Sequence, residues 1–134
     1  RQMCKETGIW LANYPAGVTI RNNRYQSYEW FRHSPGNSRS LVNDQVHDVI
    51  EDSEGDLWFA TSNGISLLQP AVGRWRSFLS RSDGIQDGGN HIFLTLCEVS
   101  PGVICAGGYA SGLYRIEKKT GRVEYFPPSF AEVV

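Results

Sequence analysis

The chain repeats itself about every 47 residues, and this period limits the architecture more than any single residue does. The run "LWFAT" (Leu57–Thr61) superimposes on "IWLAN" (Ile9–Asn13) upstream and on "VICAG" (Val103–Gly107) downstream. Ala12, Ala60 and Ala106 then share a register, 48 and 46 residues apart; Trp10 aligns with Trp58, and Ile104 takes the third place. A polar loop and a glycine follow each run: Gly17, Gly64 and Gly112. A second apolar run opens at each glycine, and a third match lies in "NRYQSY", "GRWRSF" and "GRVEYF". There Arg24, Arg74 and Arg122 align, as do Tyr28, Phe78 and Phe126. Upstream, "VHDVIED" (Val46–Asp52) matches "FLTLCEV" (Phe93–Val99), with Asn43 and Asn90 at one offset before them.

Each unit holds four short runs rich in β-branched and aromatic residues, separated by turn chemistry such as "SEGD", "SNG" and "SPG". No stretch keeps a helical period, so helices are expected to be scarce or absent. The second run of the central unit (Leu57, Trp58, Phe59, Ala60) is apolar without alternation, as in a strand covered on both faces. The fourth run carries charge (Arg74, Arg76; Arg122, Glu124), which suits an outer edge that must not recruit another strand. The expected fold is all-β: about three four-stranded antiparallel β-propeller blades, an incomplete propeller. The blades fall near 1–33, 43–81 and 90–128 of a single segment spanning 1–134. Trp10, Trp58 and Ile104 are the expected core between blades, Gly17, Gly64 and Gly112 open the third strands, and the recurring Arg24, Arg74 and Arg122 are structural. Three blades leave the outer faces of the first and last uncovered, so the rest of a longer ring or other copies of the chain are expected against them. Beyond Phe126, "PPSFAEVV" reads as a connector to another blade.

Charge narrows the function. With 13 Lys and Arg against 14 Asp and Glu, nothing argues electrostatically for nucleic acid or an anionic membrane. No run reaches the ~18 apolar residues of a membrane helix, so no direct membrane contact is expected of this segment. "DSEGD" (Asp52–Asp56) lacks the spacing and closing Glu of a calcium loop. His33, His47 and His91 show no ligand spacing, and no nucleophile elbow or phosphate loop occurs. No metal, cofactor or catalytic set is expected.

The central unit resembles the two-component regulator propeller repeat. The residues that carry the resemblance are Val49-Ile50-Glu51-Asp52, Gly55, Leu57-Trp58-Phe59, Thr61 and Gly64-Ile65, with "LVNDQV" leading in. The third unit departs from the pattern at Ile104 and Gly107, and the first in its Tyr14-Pro15 loop. The resemblance implies a periplasmic sensor segment of a hybrid two-component system of Bacteroides-type bacteria. Its parent would be an inner-membrane sensor histidine kinase, and the segment itself would be non-catalytic, sensing a ligand such as an oligosaccharide. A protein-interaction propeller without a small ligand is the alternative, although "GDLWFATSNG" lacks the Trp-Asp and Gly-His landmarks of WD40 blades.

Propellers generally meet ligands on one face, built by the loops between strands two and three and by the blade-to-blade connections. Here that face is expected to carry Tyr14, Asn63 and Tyr109 from the first set and Arg39, Asn43, Asp44, Asn90 and His91 from the second. Aromatic rings for sugar faces, with Asn, Asp and Arg for hydroxyls, make a saccharide surface. Tyr14 and Tyr109 stand out because they differ between units, whereas Asn43 and Asn90 recur and are read as turn holders. Cys97 and Cys105 are expected opposite each other on neighbouring strands, at the places of Ile50 and Phe59, as buried hydrophobes or a candidate disulfide. Cys4 has no evident partner.

Overall fold

The structure is a computed structural model that describes residues 2–5, 8–22, 27–81 and 90–128. Three four-stranded antiparallel sheets follow one another along the chain. The first blade holds β1 (Gln2–Lys5), β2 (Gly8–Ala12), β3 (Val18–Asn22) and β4 (Ser27–Phe31). The second holds β5 (Val46–Glu51), β6 (Leu57–Thr61), β7 (Gly64–Gln69) and β8 (Arg74–Phe78). The third holds β9 (Phe93–Ser100), β10 (Val103–Gly108), β11 (Gly112–Glu117) and β12 (Val123–Phe126). Within each sheet the strands pair in chain order, as propeller blades do.

Period-2 alternation assigns the two faces of every strand. Trp10, Val18 and Phe31 of the first blade pack on Val49, Leu57, Phe59, Leu68 and Trp75 of the second. The opposite face of the second blade, with Trp58, Ala60, Ile65, Leu67 and Phe78, packs on Phe93, Leu96, Ile104, Ala106, Tyr114 and Ile116 of the third. Every residue of β6 is therefore buried, whereas β2 and β10, each with one covered face, alternate. The uncovered faces carry exposed Tyr28 and Trp30 on the first blade and exposed Leu113 and Phe126 on the third.

Gly17, Gly64 and Gly112 recur for a backbone reason. Each has a left-handed φ (81°, 92° and 104°), and a Cβ there would collide with the carbonyl of Phe31, Phe78 or Phe126 respectively. The last residue of the fourth strand is thus equivalent in all three blades.

That equivalence corrects two alignments. Phe31, not Tyr28, is the counterpart of Phe78 and Phe126: Phe31 pairs with Val18 as Phe78 pairs with Ile65 and Phe126 with Leu113. Tyr28 pairs with Arg21, on the other face of its strand. Arg24, the Arg of that motif, lies outside the described residues. In the third unit the true offset along the second strand is 47, because Cys97↔Cys105 repeats Ile50↔Trp58. Cys105 therefore stands at the place of Trp58, not of Phe59, and Ile104 stands at the place of Leu57, facing the second blade. Ile104 is fully buried, but not as a third Trp. The shared Ala misleads because volume is exchanged across the sheet: Phe59 faces Ser66 in the second blade, and Ala106 faces Tyr114 in the third.

Candidate ligand-binding face

The loops β2–β3, β6–β7 and β10–β11 lie at the end of the blades where the connections into β5 and β9 also arrive, here called the upper face. Tyr14 and Tyr109 project from the first and third of these loops, 59% and 56% exposed. The ring of Tyr14 lies 5.3 Å from that of His47, and His47 Nε2 shares a 2.8 Å hydrogen bond with Ser62 Oγ. Burial lowers the pKa of His47, which favours its neutral imidazole. Tyr14, His47 and Ser62 thus offer an apolar ring beside polar groups, drawn from the first and second blades.

His47 was missed from the sequence because its placement is a property of pairing. β5 has a register shift between Val46 and Asp48, leaving His47 as the extra residue of a β-bulge. β9 shifts at the equivalent step, so that its extra residue is the exposed Leu94. A bulge re-aims one side chain while the rest of the strand keeps its alternation. No residue type signals it.

The remaining expected residues mostly hold the loops. Asn43 Oδ1 accepts from the Gln45 N–H at 2.8 Å and Asn90 Oδ1 from the Ile92 N–H at 3.1 Å, the Asx geometry of a turn. Asn63 Oδ1 accepts from the Arg81 N–H at 3.0 Å. Asp44 accepts from the His33 N–H at 2.6 Å and lies 3.6 Å from Arg32. His91, at φ 62°, bonds the Leu79 carbonyl through Nδ1 at 2.7 Å, and its own carbonyl accepts from Gly64 N–H at 2.7 Å. Arg39 does not reach this face. The connection between β4 and β5 is drawn down the side of the molecule by Leu41, which is fully buried between the first two blades. Arg39 ends beside Val72, Gly73 and Arg74, at the lower rim.

Cys97 and Cys105 face each other as expected, and both are free thiols. The neighbouring Leu96 N–H is turned away from β10, donating to Asp48 Oδ2 at 2.8 Å. The next pair, Cys97–Cys105, is therefore of the hydrogen-bonded type, with Cα atoms about 5.5 Å apart. Both sit on the uncovered side of the third blade. Among the described residues no group of three His, Cys, Asp or Glu is placed to hold a metal.

At the opposite end the propeller-repeat motif of the central unit acquires a purpose. Asp52 Oδ1 accepts from the N–H groups of Glu54 and Asp56, and its Oδ2 accepts from Trp58 Nε1 at 2.9 Å. Lys118, in the turn after β11, reaches across to Asp52 at 2.7 Å and Asp56 at 2.5 Å, with only 8% of its side chain exposed. Burial alone would raise the Asp52 pKa, but the bonds from Lys118, Trp58 and the two backbone N–H groups outweigh it and lower it. Burial likewise opposes the charge on Lys118, and Asp52 and Asp56 overcome it and raise its pKa. The Glu-Asp, Gly and Trp of the motif build a turn whose buried carboxylate locks one blade to the next.

Residues 40–63 match the family model described as Two component regulator propeller. The central blade carries a two-component regulator propeller repeat. No curated protein sequence matches the chain. Solved structures similar to it include the extracellular domain of the hybrid two component system BT3049 from B. thetaiotaomicron, with TM-score 0.76 and 23% identity, covering 90% of this chain and 16% of that one. The extracellular domain of the hybrid two component system BT4673 from the same organism gives TM-score 0.74 and 14% identity, over 96% of this chain and 16% of that one. PorZ, a surface component of the type-IX secretion system of Porphyromonas gingivalis, gives TM-score 0.66 and 13% identity, over 94% and 20%. At these identities the likeness is one of fold. The chain spans about a sixth of the length of the first of these domains.

Proposed function

We propose that this chain is a segment of an extracytoplasmic sensor propeller of a hybrid two-component system, and that its upper face binds an oligosaccharide without transforming it. The observation that carries this reading is the repeat in the central blade, together with two exposed tyrosines and the half-buried His47–Ser62 pair on one rim. Rings of this kind stack on the apolar faces of sugars, and the imidazole and hydroxyl answer their hydroxyl groups. The parent protein would be an inner-membrane histidine kinase, with this segment on the periplasmic side. The open faces of the outer blades would be covered by the rest of its propeller.

The test is a titration of the chain with a panel of neutral and acidic oligosaccharides, followed by intrinsic fluorescence and by release of any modified product. A saturable signal without turnover is expected, weakened at least tenfold in Tyr14→Ala or Tyr109→Ala. A panel without a binder, or a signal that both variants preserve, removes the reading; product release would make the chain an enzyme. The exposed Tyr28 and Trp30 favour a second reading, in which a protein partner occupies the outer face of the first blade. Light scattering over a concentration series probes those faces directly. Self-association is expected, and a monomer at every concentration would mean that the outer faces need no cover.

A further inference from the structure

Between the second and third blades, at the lower rim, the outer strand β8 and the turn after β11 enclose a groove of about 550 Å³. Its charged lining consists of Arg74 and Arg76 on one wall, Lys118, Lys119 and Glu117 on the other, and Glu54 at one end. Part of that charge is already paired. Lys118 is spent on Asp52 and Asp56, Glu54 lies 3.5 Å from Lys118, and Glu117 lies 4.0 Å from Arg115. Arg76 donates to the Lys118 carbonyl at 3.1 Å and lies 5.0 Å from the centre of the Phe78 ring, and neither contact supplies a negative charge. Arg74 and Lys119 have no acidic partner among the described residues.

Arg74, Arg76 and Lys119 therefore border one groove without an ion pair within 4.0 Å among the described residues, with the carboxylates of Glu54 and Glu117 elsewhere in its lining. Arg74 and Arg76 are alternate residues of β8 and share a face, roughly 6–7 Å apart along the strand. Burial first, and the neighbouring charge of Arg74 second, lower the pKa of Arg76. Protection of a sheet edge accounts for charge on β8. It does not account for Lys119, which lies on a turn, or for Arg76, which is folded inward over Phe78. Guanidinium groups offer paired N–H donors to an oxyanion, and an ammonium adds a point charge from the far wall.

We propose that this groove is an oxyanion site, taking a sulfate or carboxylate group of an acidic ligand between Arg74, Arg76 and Lys119. The site is separate from the upper face and stands whether or not that face binds sugar. The test is an NMR titration of the 134-residue chain with sodium sulfate and with sodium acetate, each at constant ionic strength against sodium chloride. Saturable shifts of the Arg74, Lys119 and Gly121 amides are expected with at least one of the two anions, and which anion saturates names the preferred group. In Arg74→Ser/Lys119→Ser the apparent affinity falls at least tenfold, while Arg81→Ser, a charge lost at the upper rim, leaves it unchanged. The dispersion of the same spectra reports whether each variant is folded, and Lys119→Ser alone carries the test if the double variant is not. Shifts that rise linearly without saturation, or a variant that titrates like the parent, overturn the proposal. Amides of the Tyr14 and Tyr109 loops report the upper face independently in the same spectra.

Discussion

The two interfaces between blades use one geometry and different chemistry. Between the first and second blades the seal is aromatic: Trp10 stacks on Phe31 at 5.9 Å, and Trp75 approaches both Phe31 and Phe59 within 6 Å, with Leu41 driven in from the connecting loop. Between the second and third, apolar packing around Trp58, Phe93 and Tyr114 is joined by polar ties near the blade ends and along the inner strands. Lys118 binds Asp52 and Asp56, Asp48 accepts from the Leu96 N–H, and Glu98 accepts from the Ser53 N–H at 2.9 Å. Pro70 occupies the place of Lys118 in the second blade, so no such lysine reaches back from it to the first. Apolar packing supplies most of the free energy at either junction but is tolerant of partners. A buried charge demands its counter-charge, and so discriminates which blade may follow.

The largest effect that separates the junctions is expected from Lys118→Met. It leaves Asp52 and Asp56 buried together without a cation and should cost about 3–5 kcal/mol, read as a lower urea midpoint. A loss below about 1 kcal/mol would reduce the cluster to a surface ornament and make the two junctions alike. Phe59→Ala attacks the aromatic junction and should also cost about 3–5 kcal/mol through the cavity it opens. Adding Ser66→Tyr recreates the Ala106–Tyr114 arrangement of the third blade and should recover about 1 kcal/mol or more, although Ser66 Oγ then no longer accepts from the Val42 N–H at 2.9 Å. No recovery in the double variant would mean that the exchange of volume between strands is not what keeps both blades filled.

A smaller effect follows from pH. The Asp52 pKa is lowered by folding, so its contribution is present above its unfolded value of about 3.9 and is lost as pH falls through the folded value. The Lys118 pKa is raised, so its contribution is complete below about 10.4 and is lost as pH rises through the folded value. Stability measured from pH 2 to 12 should therefore hold a plateau that falls at both ends, and Lys118→Met should flatten the alkaline fall. An alkaline limb unchanged by that substitution would assign it to other groups.

The repeat, the strand content and the four-run blade could be read from residues alone, because turn glycines and uninterrupted apolar runs report local backbone demands. Gly17, Gly64 and Gly112 are the plainest case: each must admit a carbonyl where a side chain would stand. The site was less legible. Tyr14 and Tyr109 were found as departures from the repeat, while His47 was hidden in a bulge and Arg39 was misplaced because a buried Leu41 redirects its loop.

What the sequence determined by itself is the number of blades, the order of strands within them and the positions that only glycine can occupy. Which face each side chain takes was decided only in three dimensions. A slip of one residue reverses every assignment along a strand, and a shared Ala or aromatic does not prevent it. Cross-strand volume settled that question for Ile104 and Cys105, since Tyr114 fills what Ala106 leaves empty. The partnership of Lys118 with Asp52, 66 residues away along the chain, was likewise invisible until two blades met and shut out the water that would otherwise have separated the charges.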